Sequence, residues 1–258
     1  MTKQEKIFFQ VLSDIKEFLE NLILVGGWVP YIYAKFLWKG INKMPLATAD
    51  IDLGVSAMTK KFPSKSIYQK LSSKYGEHHI SMDRLFPVVL HLENVEIHFI
   101  SSEDLPKEIA DKLVGRQINI DKVEHFDILL NNRITVDVID NKTNRYRLHI
   151  PTPVAFIYHK GLTFTDRQFD DAKAKDLHYI YYILRFCLNP NELISDLIKF
   201  KKHKSFSNFK ANLTKYFQRI SSQGCIMVER ENGPDEYIDD LRQDIFERFV
   251  QLREALEK

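Results

Sequence analysis

The stretch 22-LILVGGWVPYIYAKFLWKGINKMPLATADIDLGV-55 constrains the fold more than any other part of the chain. Leu22 to Val25 is an apolar run of strand length, too short for a helix. Gly26-Gly27 ends it, and Trp28 to Lys39 is apolar enough for a largely buried helix, with Pro30 tolerated in the first turn and Gly40 as the stop. Asp50 to Val55 then alternates as a second strand, so Asp50 and Asp52 point to one face and Ile51 and Leu53 to the other. Two carboxylates on one face, roughly 7 Å apart at the backbone, repel each other and lose hydration. In a strand this apolar they need a partner, and a divalent cation that prefers oxygen ligands is the natural one. An isolated D-x-D is nevertheless more often a strand with one solvated face.

Two further features bear on that choice. A strand that ends in Gly-Gly at a helix start exposes backbone N–H groups and lets a phosphate approach where a Cβ would obstruct it. The same pair also suits a plain tight turn. In 95-VEIHFI-100, Val95, Ile97 and Phe99 share one face, leaving Glu96 and His98 on the other. Glu96 is thus the candidate third carboxylate, provided its strand lies beside Asp52; an amphipathic strand with a wet face explains it equally well. His98 is the only histidine whose face suggests the site. His159 and His178 read as core or cleft-lining residues, and Arg84 as a surface charge.

Phe8, Val11, Leu12, Ile15, Phe18 and Leu19 recur at three- and four-residue steps, which predicts an amphipathic helix over residues 4 to 20. Val88 to Leu92 and Val95 to Ile100 read as adjacent strands around Glu93-Asn94, and Ile134 to Ile139 and Tyr146 to Ile150 as a pair joined by a turn from Asp140 to Asn144. After Pro151 the pattern becomes helical: Val154 to Lys160, Asp170 to Leu188, 191 to 219 and 234 to 257. The expected class is α+β, a small mixed sheet flanked by helices over residues 1–150, followed by a helical lobe over 151–258.

With 258 residues, 44% apolar and 28% charged, the chain has the make-up of a globular protein rather than a disordered or fibrous one. A net charge of +2 is too mild to argue for nucleic acid. Lys199, Lys201, Lys202, Lys204, Lys210, Lys215 and Arg219 do fall in a stretch with no acidic residue, where Phe206, Phe209, Tyr216 and Phe217 are interleaved. Such lysines are usually solvated, though the pattern permits an RNA-facing surface. Cys187 and Cys225 have neither metal nor redox spacing, and no run approaches the ~20 apolar residues of a membrane span. A soluble, cytoplasmic protein with reduced thiols and no membrane partner is expected.

Gly26-Gly27, Asp50-Ile51-Asp52-Leu53 and Glu96 on a later strand resemble the DNA polymerase β-type nucleotidyltransferase superfamily, whose signature is G-[GS], D-h-[DE]-h and a third acidic residue. In 151-PTPVAFIYHKGLTFTDRQFDDAKAKDLHYIYYIL-184, Lys160, then Arg167, then Lys175-Asp176 resemble its AbiEii-type branch, which includes bacterial toxins. The likeness spans roughly residues 20 to 188. It implies a nucleoside triphosphate substrate, Mg²⁺ or Mn²⁺ held by Asp50, Asp52 and Glu96, and phosphate cradled by Gly26 and Gly27. It further implies that Lys160, from the helical lobe, neutralises the triphosphate and that Asp176 positions it in the cleft. The acceptor hydroxyl would belong to an RNA or tRNA end, a protein side chain or a small molecule such as an aminoglycoside, with the AbiEii-like helices favouring RNA or protein, and a cognate antitoxin would be a partner. Many members have serine at Gly27 and aspartate at Glu96, and the spacing from Gly27 to Asp50 exceeds that of the shortest members. Outside the resemblance, Lys160 and Asp176 read as an ordinary ion pair. The competing functions are a non-catalytic nucleotide- or RNA-binding regulator of the same fold and a metal-dependent glycosyltransferase. The glycosyltransferase would want a nucleotide-binding region on the ~100-residue scale before its D-x-D, whereas about fifty residues precede it here.

Overall fold

The computed structural model describes residues 1–38, 40–46, 48–57, 59, 61–75, 80–83, 86–92, 95–234 and 240–257, with only the main chain at 75, 80–83 and 86–92. Arg84 and the Glu93-Asn94 turn lie outside the described residues. The chain divides into two compact units, Met1–Leu37 with Ala47–Pro151, and Trp38–Leu46 with Thr152–Lys258.

The first unit is built on one mixed sheet. Among the described residues its strands are β1 (Leu22–Val25), β2 (Ile51–Val55), β3 (Ile80–Asp83), β4 (Phe86–Leu92), β5 (Val95–Ser101), β6 (Asp121–Lys122), β7 (Arg133–Ile139) and β8 (Arg145–Pro151). Their order is β3-β4-β5-β2-β1-β8-β7, with β6 paired to β5. β4 and β5 form the expected hairpin, Leu92 opposite Val95, as do β7 and β8. The Asp140 carboxylate shapes the second turn by accepting from the Lys142 and Asn144 backbone N–H groups, both at 2.8 Å. β3 and β6 were not read as strands from the sequence: β3, Ile80-Ser81-Met82-Asp83, alternates over only four residues, and β6 has two.

The α+β class holds, and several helices differ in extent from the sequence reading. α1 covers Lys3–Asp14, with Thr2 and Glu5 forming a reciprocal capping box, and the chain continues as a 3₁₀ turn over Lys16–Asn21. Apolar residues three apart serve both helix types, so periodicity alone merged them into one helix over 4 to 20. α2 covers only Trp28–Ile32 before a π turn over Tyr33–Leu37, where a single α-helix to Lys39 was expected. α3 (Ile67–Tyr75), α4 (Lys107–Leu113) and α5 (Phe126–Asn131) complete this unit. The Phe8 ring stacks on Trp28 at 4.1 Å, fixing α1 against the start of α2. On the sheet, Phe126 and Leu129 of α5 pack on Ile23 and Val25 of β1.

The second unit is helical: α6 (Pro153–Thr163), α7 (Asp170–Phe186), α8 (Pro190–Ile198), α9 (Phe206–Tyr216), α10 (Gln223–Asn232) and α11 (Leu241–Glu257). The expected 191–219 helix is two helices, interrupted by a 3₁₀ turn at Lys199–Lys202, and α10 was missed. Residues 38–46 join this unit, and the Tyr182 hydroxyl donates to the Lys43 carbonyl at 2.6 Å. Phe209, Tyr216 and Phe217 are buried, with Phe217 stacked on Phe249 at 3.6 Å. These three are core residues, while the half-buried Phe206 lies against Tyr158 and Phe209. Both cysteines are free thiols.

Candidate active site

β2 lies antiparallel to β1 and parallel to β5, so Asp52 has Val25 on one side and His98 on the other. Paired residues share a face. The next row on that face is Ile23, Gly54 and Ile100, and the Phe126 ring closes over Gly54 where a side chain would collide with it. One end of the face is therefore covered and apolar. The other end carries the polar groups, because β5 alternates as read: Val95, Ile97, Phe99 and Ser101 are buried, while Glu96 and His98 are half-buried.

Asp50 stands immediately before β2, beside Ile51, which pairs with Ile97. Asp50, Glu96 and His98 each offer a ligand atom, and these three atoms all lie within 4.8 Å of one another. His98 Nε2 and Glu96 Oε2 are in hydrogen-bond contact at 3.1 Å. The open condition on Glu96, that its strand lie beside β2, is thus met. Two hard carboxylates and an imidazole make a donor set that suits a divalent cation, so the residues present fit the metal that the resemblance implied.

Asp52 is not in that group of three; its carboxylate lies against Gly26. Gly26 has φ +68°, and a Cβ there would overlap the Asp52 side chain. Glycine is therefore required twice at this position, for its backbone conformation and for the space that Asp52 fills. Gly27 takes ordinary helical dihedrals as the cap of α2, and its position provides no side-chain hydrogen bond to the N–H groups of the first turn. The Gly26 carbonyl accepts from Val29 N–H at 3.2 Å.

Lys160 and Asp176 belong to the second unit and are both buried there. Lys160 Nζ lies 2.5 Å from Asp176 Oδ1, and Arg167 Nε donates to Asp176 Oδ2 at 2.9 Å. Burial alone would raise the Asp176 carboxyl, but the Lys160 and Arg167 charges outweigh it and hold the group below the usual carboxylate range. Arg167 is 47% exposed, so its guanidinium reaches solvent while the Lys160 ammonium does not. Two residues on, burial and then the Lys43 charge push His178 down to about 4, which keeps it neutral near pH 7. The structure thus brings Asp50 and Glu96 together, sets Asp52 on Gly26, and joins Lys160 to Asp176 within the other unit. What the sequence did not show is the place of His98: its face was visible, but its neighbour Asp52 depends on strand register.

A family model described as nucleotidyltransferase matches residues 7–196. Among solved structures, the crystal structure of an antigenic nucleotidyltransferase-like protein from Paracoccidioides brasiliensis is similar at 14% identity over 81% of this chain and 94% of that chain, with a TM-score of 0.41. At that similarity it says nothing about the site. No curated protein matches the chain. Among the described residues no helix is long and apolar enough to cross a membrane. The family match covers most of the chain, including Gly26, Asp50, Asp52, Glu96, Lys160 and Asp176, and the chain belongs to the nucleotidyltransferase family.

Proposed function

We propose that this nucleotidyltransferase moves a nucleoside monophosphate from an NTP to the hydroxyl of an RNA, tRNA or protein acceptor, using Mg²⁺ or Mn²⁺, on the face of β2 and β5 that carries Asp50, Asp52, Glu96 and His98. The observation that carries the reading is the convergence of the Asp50, Glu96 and His98 ligand atoms within 4.8 Å at the open end of that face. Asp50 and Glu96 would hold the cation, with Asp52, two residues on from Asp50, as the third acidic group. When bound, the cation would polarise the phosphate and favour the ionised hydroxyl.

The protein's own groups do the rest. Glu96, 44% exposed at its side chain, can accept a hydrogen bond from the acceptor hydroxyl and take its proton. The hydroxyl oxygen forms a bond to the α-phosphorus, the bond from that phosphorus to the oxygen leading to the β-phosphate breaks, and pyrophosphate leaves with the electron pair. Gly27, at the start of α2, offers its backbone N–H to phosphate, while the space beside the Gly26 α-carbon is taken by the Asp52 carboxylate. By the resemblance Lys160 neutralises the triphosphate and Asp176 positions it, so Lys160→Ala should both lower kcat and weaken NTP binding. By the same resemblance, the activity is that of a toxin of the AbiEii-like kind, with a cognate antitoxin as partner.

The test is to incubate the protein with Mg²⁺ or Mn²⁺, each α-labelled NTP, and total RNA or cell extract, and to follow label into macromolecules. Asp50→Asn and Asp52→Asn should lower transfer by about 100-fold or more, the scale of losing a group that stabilises transition-state charge. Equal transfer by wild type and both variants contradicts the site. NTP binding without transfer to any acceptor favours the non-catalytic regulator.

A further inference from the structure

We infer that His98 is a ligand of the divalent cation and biases the site toward Mn²⁺ over Mg²⁺, an inference that rests on the proposed nucleotidyl-transfer site. The sequence pattern behind that site calls for carboxylates alone. The structure adds nitrogen: His98 and Glu96 share one face of β5, and the His98 ligand atom lies within 4.8 Å of those of both Asp50 and Glu96. Register puts His98 directly beside Asp52 on the polar end of the face.

Its setting suits a ligand. The side chain is 26% exposed, enough for an ion and its remaining waters to reach it, and the flanking Ile97 and Phe99 are buried, which fixes the strand beneath it. The ring contacts Glu96 at 3.1 Å, a contact that a shared cation would replace with two bonds to one centre. A ring that serves only to orient Glu96 would need the same contact, so the experiment must read nitrogen at the metal.

The chemistry sets the selectivity. Mg²⁺ takes oxygen ligands and keeps its waters, whereas imidazole favours first-row transition ions. Mn²⁺ shares the carboxylate preference of Mg²⁺ and also accepts imidazole nitrogen, so a set of two carboxylates and one histidine discriminates in its favour.

The experiment uses the full chain without nucleotide. Mn²⁺ is titrated and followed by electron paramagnetic resonance of the free ion, Mg²⁺ is measured by competition, and ¹⁴N coupling to bound Mn²⁺ is read by pulsed electron paramagnetic resonance. Wild type should show ¹⁴N coupling. In His98→Ala the coupling should vanish and Mn²⁺ binding should weaken by about tenfold or more, while Mg²⁺ binding changes by about twofold or less. His98→Gln, which keeps an oxygen donor, should also lose the coupling but hold Mg²⁺ as wild type does. Bound Mn²⁺ with no nitrogen coupling in wild type, coupling that persists in either variant, or equal losses of both ions overturns the inference. The wild-type spectrum decides even if a variant does not fold. Nitrogen coupling without NTP transfer contradicts the proposed function and leaves His98 as a ligand; transfer without nitrogen coupling does the reverse.

Discussion

Gly26 couples backbone conformation to the acidic site. Its φ of +68° already disfavours any other residue, and the Asp52 carboxylate fills the space beside its α-carbon. Gly40 provides a natural control, with φ +85° and nothing within 4 Å of where an added methyl group would stand. Gly26→Ala and Gly40→Ala should each lose roughly 1–2 kcal/mol to backbone strain in denaturant titrations. Only Gly26→Ala, which must also displace Asp52, should abolish transfer; equal activity in the two variants would separate Asp52 from the chemistry. Asp176 poses a different question. Its carboxyl is depressed in the folded protein, so the stability its charge contributes is complete above the ordinary value of about 4 and fades as pH falls through the lower folded value. Asp176→Asn leaves the Lys160 ammonium buried without its counter-charge and should cost about 3–5 kcal/mol near neutral pH, with a flatter acid limb below about pH 4. Lys160→Met combined with Asp176→Leu should recover most of that loss, because apolar side chains of similar volume replace a buried pair at little net cost. Asp50, Asp52 and Glu96 were legible as candidates because carboxylates stand out against apolar strand neighbours, whereas Lys160 and Asp176 became candidates only through the resemblance. The imidazole of His98 was not assigned, since a histidine on a strand has no distinctive surroundings until the adjacent strand is known.

At the level of elements, the sequence made strands with clean alternation readable and left register unstated. β5 reads polar and apolar in turn and folds that way, yet nothing in 95-VEIHFI-100 specifies a parallel neighbour more than forty residues earlier in the chain. Short elements escaped for a related reason: α5 spans six residues, too few to display a helical period. Its packing is nevertheless central to the face, because Phe126 covers Gly54 and touches the Ile23 cluster at the apolar end. Phe126→Ala should destabilise the protein by about 3–5 kcal/mol, the range for removing a buried aromatic ring, and should lower the thermal midpoint accordingly. A loss below about 1 kcal/mol would show that this end of the face is less tightly packed than the contacts indicate. Helix ends were misplaced where 3₁₀ and π turns continue an α-helix, since all three present apolar residues at similar intervals.

For the whole molecule, the two units carry different chemistry. The sheet unit provides the carboxylates, the imidazole and the glycine pair; the helical unit holds the buried Lys160–Asp176 pair with the exposed Arg167 beside it and includes residues 38–46, which no pattern in the chain assigns there. That segment lies between the Trp28 helix and the D-x-D strand, and its place is set by tertiary contacts such as the Tyr182–Lys43 hydrogen bond. The α+β class, the sheet hairpins and the helical second half follow from patterning; the allocation of 38–46 follows from packing. The central claim is that the β2–β5 face supports attack at the α-phosphorus of an NTP. It is tested most directly by supplying the same NTP labelled at either the α- or the γ-phosphate, in the presence of divalent cation and cell extract. The account predicts that α-label enters an acceptor while γ-label leaves as pyrophosphate, and that Asp50→Asn removes both signals. Retention of γ-label on the acceptor, or α-label transfer undiminished in Asp50→Asn, would contradict it.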